Sequence, residues 1–505
     1  MTFVLWAFLA TFRIVSVQLV QSWFVPDEVY QSSEVAHHLV YGHGHLSWEW
    51  HHALRSFIHP GLISLVFKLL QFFGLDSQVT LVNAPRLFHA ILFSFADISF
   101  YSICKRLSLS SREAWFSFLT YLSSWFIFYC APRTLSNSLE TALTLIALNW
   151  YPFEGNRYRG SVYPYMLIGS ITIIIRPTAA LIWLVLGINH LFKSSNPFGL
   201  ICVVVLPTVI PVLTGSFLLD SVSYAHPTFS LWNFLSFNVL EGGSAHFGVH
   251  PWHWYFTQGL TSVLTIQLLP AIMGVINSSI TRLPFYVFLF YVVFHSLLPH
   301  KEQRFLLPII PFLCIYAGHF FTLRSYRHLR AFVFWFMISV NVLVALYTGL
   351  RHQIGPYSAS ESVMRTLKPG ERSNLLALMP CYSIPGYSFF HDYAEHIRQL
   401  DCSPDLNGLN QADEGDIFYS DPVMWLDKNG PLNYSHILLY EKLYEVLKDV
   451  LVRSHYSEYS CNGTVVNNPE YGEVMQFTGD QRQQIKDFLV KVGIVKEDNC
   501  KVHGF

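Results

Sequence analysis

The chain begins with the apolar stretch Met1-Thr2-Phe3-Val4-Leu5-Trp6-Ala7-Phe8-Leu9-Ala10 and stays apolar to about residue 21, with Arg13 as its only charge. No basic segment precedes this stretch and no clear small-residue cleavage site follows it, so it differs from a cleaved signal peptide. At 1.5 Å per residue, a helix of this length crosses a hydrocarbon core about 30 Å thick. The stretch therefore predicts an uncleaved signal anchor whose N terminus is cytoplasmic.

The rest of the 505-residue chain divides by charge. Overall, 52% of the residues are hydrophobic and 13% are charged, whereas soluble proteins average about 25% charged residues. The first 350 residues contain 18 Lys and Arg against 12 Asp and Glu, and the last 155 contain 14 against 21. We predict a membrane domain over 1–350 and a luminal C-terminal domain over 351–505. This composition excludes disorder, collagen and a large basic nucleic-acid-binding surface.

Ten more apolar stretches follow the first, at about residues 57–74, 85–103, 113–130, 135–152, 162–192, 199–219, 258–278, 283–299, 305–322 and 331–350. Basic residues beside spans stay cytoplasmic, and one arrangement satisfies all the basic loops. In this arrangement, residues 57–74 form an interfacial or re-entrant helix, and residues 162–192 divide at Arg176-Pro177 into two spans. The loop of residues 22–84 is luminal. The predicted fold is mainly α and polytopic, with about 11 transmembrane helices, luminal interfacial helices and a small α/β C-terminal domain.

The last 155 residues contain four of the eight cysteines and two glycosylation sequons. Four cysteines in an oxidising lumen allow two disulfides with three connectivities, and four free thiols are the alternative. We expect glycans on Asn433 and Asn462, and none on Asn277, which the predicted topology places at a cytoplasmic membrane end. The disulfide candidates are Cys381, Cys402, Cys461 and Cys500.

Two adjacent carboxylates, Asp27 and Glu28, follow the first span and precede a stretch rich in histidine that runs to residue 59. An acidic flank at the membrane surface is the simpler interpretation of an isolated pair. This density of ionisable groups beside a span is unusual, however, and marks a functional site in membrane proteins. The group includes Glu34, His37, His38, Trp48 and Glu49.

A catalytic metal is not expected, although the chain has 23 histidines. It contains no His-Glu-x-x-His and no Asp-x-Asp, and adjacent histidines such as His37 and His38 point to different sides of a helix. We predict neither a metal nor another cofactor.

Cationic residues collect on the same predicted face of the membrane. They could be interfacial anchors beside an aromatic belt, or they could neutralise a phosphate. A carboxylate pair facing cations suits transfer of a group from a lipid phosphate, because one side activates the nucleophile and the other stabilises the leaving anion. The cationic group contains Arg133, Arg176, His250, His253, His300, Lys301 and Arg304. Of these, the phosphate-binding candidates are Arg133, His250, His253, Lys301 and Arg304, beside Glu302.

Several motifs resemble a known family, the dolichyl-phosphate-mannose-dependent α-mannosyltransferases of the endoplasmic reticulum, which are GT-C enzymes of glycosyltransferase family 22. The motifs are Phe24-Val25-Pro26-Asp27-Glu28, Ser47-Trp48-Glu49-Trp50, Arg133-Thr134-Leu135-Ser136-Asn137, His250-Pro251-Trp252-His253-Trp254-Tyr255 and His300-Lys301-Glu302 with Arg304-Phe305. The chain departs from many relatives at Val25, where they carry histidine. It also lacks the glycine that commonly follows Tyr224.

The resemblance implies an enzyme of the endoplasmic reticulum membrane that transfers mannose with inversion. The expected acceptor is the second mannose of a glycosylphosphatidylinositol (GPI) precursor, which receives its third mannose in α-1,2 linkage. By resemblance, Asp27 is the base and Glu28 supports it or orients a sugar hydroxyl. Arg133, His250, His253, Lys301, Glu302 and Arg304 would bind donor phosphate or sugar. Glu34, His37, His38, Trp48 and Glu49 would form the acceptor region.

Two other functions are compatible with the residues. A sister enzyme would add the fourth GPI mannose or a mannose of the N-glycan precursor, and only the resemblance separates it from the first function. A transporter of lipid-linked sugars would have an inverted repeat around a midplane site, and we find no such repeat. The expected partners are the two lipid-linked substrates and membrane lipids, with no nucleic acid.

Overall fold

The computed structural model describes residues 2–155, 158–278, 280–323, 325–367, 370, 373–404, 412–430, 434–454, 463–468 and 472–477. It forms two compact units, one of Met1–Ser420 with Tyr434–Tyr440 and one of Asp421–Asn433 with Glu441–Phe505. The first unit therefore includes part of the segment that we predicted to be luminal. Four predicted modification sites, Asn433, Asn462, Cys461 and Cys500, lie outside the described residues.

The first unit is mainly helical, and every apolar stretch predicted from the sequence carries helix. The helices are α1 Thr2–Leu19, α2 Glu34–Tyr41, α3 Trp48–His51, α4 Ile58–Phe72, α5 Gln78–Leu107, α6 Ser111–Ser123, α7 Trp125–Cys130, α8 Ser136–Ala147, α9 Tyr163–Ile175, α10 Ala180–Lys193, α11 Pro197–Gly199, α12 Leu206–Ser223, α13 Ser230–Leu235, α14 Leu260–Leu264, α15 Leu268–Asn277, α16 Leu283–Leu297, α17 Ile310–Thr322, α18 Arg327–Leu350, α19 Gly355–Thr366, α20 Tyr387–Phe390 and α21 Glu414–Ser420.

In the described part of the chain, five helical segments are long and apolar enough to cross a membrane, one of them interrupted by a turn at residues 351–354. Short π or 3-10 segments join some of the helices above into these longer spans. The five are Gln78–Leu107, Pro197–Ser223, Tyr255–Asn277, Gln303–Thr322 and Arg327–Thr366, and shorter apolar helices such as α1, α4, α9 and α16 lie beside them. A multi-spanning α-helical membrane fold is thereby confirmed.

The helix break predicted at Arg176-Pro177 is present. Helix α9 ends at Ile175, Arg176 is extended with φ −145° and ψ 103°, and a 3-10 turn over Pro177–Ala179 leads into α10. The break follows from the proline, whose ring disfavours helical backbone at the preceding residue. It brings Arg176 within 3.1 Å of Glu140 on α8.

The apolar helices pack around one fully buried ion pair. The guanidinium of Arg13 on α1 donates hydrogen bonds of 2.7 and 2.8 Å to both carboxylate oxygens of Asp97 on α5. The hydroxyl of Tyr121 on α6 donates to the same carboxylate at 2.7 Å. Because an unpaired charge is costly inside a membrane protein, this triad fixes the register of the three helices.

A small parallel sheet completes the first unit. Strand β1 (Asn374–Leu378) lies between β2 (His396–Gln399) and β3 (His436–Leu439), with Leu375 opposite Ile397 and His436. A disulfide joins Cys381 to Cys402, two of the four predicted candidates. The second unit contains α22 (Pro422–Asn429), α23 (Glu441–Arg453) and an antiparallel hairpin of β4 (Gly463–Asn468) and β5 (Gly472–Phe477).

Candidate active site

The acidic pair lies in the tight turn that follows α1. The backbone amides of Val29 and Tyr30 donate to the carbonyl oxygen of Pro26 at 2.9 and 3.0 Å, which closes the turn around Asp27 and Glu28. A π-helical segment, Val29–Ser33, continues from this turn into α2. Such π segments are often found at functional sites.

Asp27 faces the open side of the site. Its side chain is 25% exposed, and its Oδ2 accepts a hydrogen bond from Arg304 Nη1 at 2.5 Å. Arg304 also donates to both oxygens of Glu302, at 2.6 and 2.7 Å. The ring of His300 lies 2.8 Å from Glu302. Asp27 is therefore the end member of a charged chain and the only carboxylate of the adjacent pair that a substrate can reach.

Glu28 is enclosed in the protein, and its side chain is 3% exposed. Arg133 Nη1 contacts one carboxylate oxygen at 2.5 Å and Arg86 Nη2 contacts the other at 2.9 Å. Burial alone would raise the pKa of Glu28, but the attraction of Arg133 and Arg86 outweighs it and holds the pKa below the usual value. Glu28 is thus a charged structural centre that ties the acidic turn to α5 and to the loop before α8.

Two of the cations predicted to bind the donor phosphate are occupied by protein groups. The guanidinium of Arg133 is fully buried and donates to Glu28, to Ser22 and to the carbonyl of Tyr129. The ammonium of Lys301 is surrounded by the carbonyl oxygens of His250, Leu298 and Pro299. These contacts favour structural roles for Arg133 and Lys301 over direct phosphate binding.

Of the other predicted cationic residues, Arg304 is buried against Asp27 and Glu302, whereas the two histidines are accessible. His250 and His253 are both exposed on the segment between α13 and α14. His250 stacks on Trp254 with ring centroids 5.0 Å apart, and its amide donates to the carbonyl of Pro299. The hydrogen bond from the His250 amide to Pro299 and the one from Lys301 to the His250 carbonyl hold this segment beside the loop that carries Arg304.

Glu302 is a partly buried carboxylate between Arg304 and His300. Burial would raise its pKa, but the charges and hydrogen bonds of Arg304 and His300 lower the pKa well below the usual range. Glu302 therefore remains ionised at any physiological pH, and it orients Arg304 toward Asp27.

The predicted acceptor residues on α3 support the acidic turn from one side. Glu49 accepts a hydrogen bond from Gln31 in the π segment at 2.9 Å and pairs with Arg55 at 2.8 Å. Trp48 is buried and stacks on Phe247, with ring centroids 5.8 Å apart. Helix α3 thereby connects the acidic turn to the segment before α14.

The other three predicted acceptor residues lie on α2. Glu34 is fully buried and accepts hydrogen bonds from the backbone amides of His45, Tyr387 and Ser388. His37 is also buried, with His43 and His391 as its partners, whereas His38 is partly exposed. Glu34 and His37 thus contact the C-terminal part of the unit, and these contacts favour a structural role over acceptor binding.

Three arginines at the site were not assigned a role from the sequence, although Arg176 belonged to the predicted cationic group. Arg86 and Arg55 neutralise Glu28 and Glu49, and Arg176 pairs with Glu140 and lies over the ring of Phe305, 5.0 Å from its centroid. The available signal was the rarity of charge within apolar sequence: Arg86 and Arg176 each interrupt a predicted span.

The described residues contain no group of three or more His, Cys, Asp or Glu side chains placed to hold a metal ion.

Comparison with known proteins identifies the family. Residues 4–391 match the sequence profile of the Alg9-like mannosyltransferase family. The chain belongs to this family. It is therefore a glycosyltransferase and a mannosyltransferase. A second profile, translation initiation factor SUI1, matches only residues 442–495 and carries no argument.

Individual family members match most of the chain. The GPI alpha-1,2-mannosyltransferase 3 proteins of Danio rerio and Homo sapiens are each 36% identical to it over 463 and 460 residues. These alignments cover 89% of this chain and 85% and 82% of the relatives. Mannosyltransferase APTG1 of Arabidopsis thaliana is 34% identical over 486 residues, which cover 89% of this chain and 87% of that protein.

The fold is similar to that of a solved GT-C structure. ArnT from Cupriavidus metallidurans in its apo state superposes with a TM-score of 0.57 at 14% identity, covering 94% of this chain and 96% of that chain. The same enzyme bound to undecaprenyl phosphate gives a TM-score of 0.55 at 15% identity, with 94% and 97% covered. At this identity the likeness confirms the GT-C fold alone.

Proposed function

We propose that this family member transfers mannose from dolichyl phosphate mannose to the second mannose of a GPI precursor. The transfer would invert the donor's β linkage and form an α-1,2 bond. The names of the similar proteins support this choice of acceptor. The observation that carries the chemistry is the partly exposed carboxylate of Asp27, which is held by Arg304.

The residues suggest how the reaction proceeds. Asp27 accepts the proton of the acceptor's 2-hydroxyl while that oxygen forms a bond to C1 of the donor mannose. The bond between C1 and the phosphate oxygen breaks, and dolichyl phosphate leaves with its electron pair. The leaving group is already an anion of low basicity, so cations can stabilise it without a general acid.

The ion pair between Asp27 and Arg304 suggests an order of events. A donor phosphate is a bidentate partner for arginine, so it would compete with Asp27 for Arg304. Once Arg304 turns to the phosphate, the Asp27 carboxylate is free to accept the hydroxyl proton. Glu302 keeps its two contacts with Arg304 and limits how far the guanidinium can move.

The proposal includes a location and the absence of a cofactor. The site and residues 351–505 would face the lumen of the endoplasmic reticulum, with the N terminus in the cytoplasm. Neither a metal nor another cofactor is needed, because donor activation resides in the phosphate that the donor already carries.

The direct test uses microsomes in which this protein replaces the endogenous enzyme. Labelled dolichyl phosphate mannose is supplied with a GPI acceptor that carries two mannoses. We expect a three-mannose product that an α-1,2-specific mannosidase trims back, and no product with Asp27→Asn. Transfer instead to a three-mannose GPI acceptor or an N-glycan precursor would identify a sister activity. Movement of the donor across the membrane without transfer would identify a transporter.

A further inference from the structure

The C-terminal part of the first unit contacts the acidic turn directly. The hydroxyl of Tyr30 donates to the carbonyl oxygen of Ile384 at 2.7 Å and accepts a hydrogen bond from Gln399 at 2.5 Å. Tyr30 is 2% exposed, and its own amide closes the turn on Pro26. Residues more than 350 positions away in sequence therefore contact the turn that contains Asp27.

A second contact lies one helical turn further along. The carboxylate of Glu34 accepts hydrogen bonds from the amides of Tyr387 at 2.7 Å and Ser388 at 2.9 Å, and from that of His45 at 3.0 Å. Hydrogen bonds to an ionised carboxylate are about twice as strong as neutral ones. Glu34 is fully buried, so these amides take the place of water as its hydrogen-bond donors.

The fit between the two segments is close at Gly386. A methyl group added to this glycine would overlap both carboxylate oxygens of Glu34. Because glycine has no side chain, the backbone at residues 386–388 can approach Glu34 closely.

A disulfide bond closes the segment that contacts Tyr30 and Glu34 into a loop. The bond between Cys381 and Cys402 encloses Ile384, Gly386, Tyr387, Ser388 and Gln399, so it encloses every group that contacts Tyr30 or Glu34 from this side. The disulfide restricts the conformations available to this loop. Strand β2, which supplies Gln399, pairs with β1 inside the same unit.

We propose that the disulfide-closed segment Cys381–Cys402 braces the turn that carries Asp27, with Tyr30 and Glu34 as positioning residues for the transfer reaction. This inference rests on the proposed function. Tyr30 and Glu34 contact neither substrate. They fix where the Asp27 carboxylate stands relative to the acceptor hydroxyl, and a displacement of about 1 Å at a reacting group can cost about 100-fold in rate.

The first test adds the methyl group that the brace cannot accommodate. In Gly386→Ala, and in Tyr30→Phe, we expect turnover per donor-binding site to fall about 10- to 100-fold, with donor affinity unchanged. The matched control is Gly355→Ala, because a methyl group there meets no atom within 4 Å. A purely structural role would reduce the number of donor-binding sites and leave turnover per site unchanged, which would overturn the proposal. Normal turnover in both variants would also overturn the proposal.

The second test removes the disulfide. Treatment of the purified wild type with a phosphine reductant should lower turnover per site reversibly, with recovery on reoxidation. The double variant Cys381→Ser, Cys402→Ser should have low turnover from the start and no further response. An equal response in the double variant would assign the effect to other cysteines and reject the brace. A wild type that transfers no mannose to the two-mannose acceptor would instead reject the proposed function.

Discussion

Asp27 and Glu28 are neighbours in sequence, yet the structure gives them opposite surroundings. Asp27 is 25% exposed and has one ion-pair partner among the described residues, Arg304. Glu28 is 3% exposed and has two, Arg86 and Arg133. A carboxylate that is enclosed by two guanidinium groups cannot reach a substrate. The comparison therefore separates a residue available for chemistry from a residue that holds the turn in place.

The largest expected effect is on Asp27. Asp27→Asn keeps the shape of the side chain but removes the proton acceptor, so transfer should fall by about 10² to 10⁴-fold, the contribution typical of a general base. Protein yield and melting temperature should stay close to wild type. Turnover is measured with labelled donor and the two-mannose acceptor. Near-normal turnover would reject Asp27 as the base.

Glu28 should show the opposite pattern. Glu28→Gln leaves Arg86 and Arg133 buried without their counter-ion, and loss of one partner of a buried pair costs about 3–5 kcal/mol. We expect a large drop in yield and melting temperature, while the protein that still folds keeps measurable turnover. If Glu28→Gln folds normally and is inactive, the two carboxylates share the chemistry and the comparison fails.

Arg304 links these two environments, because it is itself buried yet contacts the partly exposed Asp27. Arg304→Lys keeps the charge but loses the forked contact with Glu302 and the bidentate geometry for a phosphate. We expect the apparent donor KM to rise about tenfold, as the loss of one charge-assisted hydrogen bond predicts, with a smaller change in acceptor KM. Equal losses for both substrates would indicate that Arg304 acts mainly in folding.

The sequence was sufficient to predict the helical membrane fold, since apolar stretches and basic loops are local signals. The break at Arg176 was also predictable, because the proline that causes it is adjacent. The surroundings of Glu28 could not be predicted, because its partners Arg86 and Arg133 are 58 and 105 residues away in sequence. Glu34 illustrates the same limit: its donors Tyr387 and Ser388 are more than 350 residues distant, and only the fold brings them together.

His37 extends the comparison to a group buried without a counter-ion, and here the expected effect is smallest. Burial, more than its neighbours His43, His391 and His38, lowers the pKa of His37 to about 3, whereas the unfolded chain would have a pKa of about 6.5. Asp392 and Asp76 act on the neighbouring His391, whose own pKa is nevertheless lowered by burial.

A depressed histidine pKa stabilises the fold fully above pH 6.5, and this stability is lost as the pH falls toward 3. Between pH 7.5 and 5.5 the loss should be about 1.4 kcal/mol, as linkage gives for one proton. Thermal unfolding at the two pH values measures it, and His37→Gln should have a smaller difference between them. An unchanged difference in His37→Gln would mean that other groups carry the acid sensitivity. Burial without a counter-ion therefore keeps His37 neutral, whereas burial between two guanidinium groups keeps Glu28 charged.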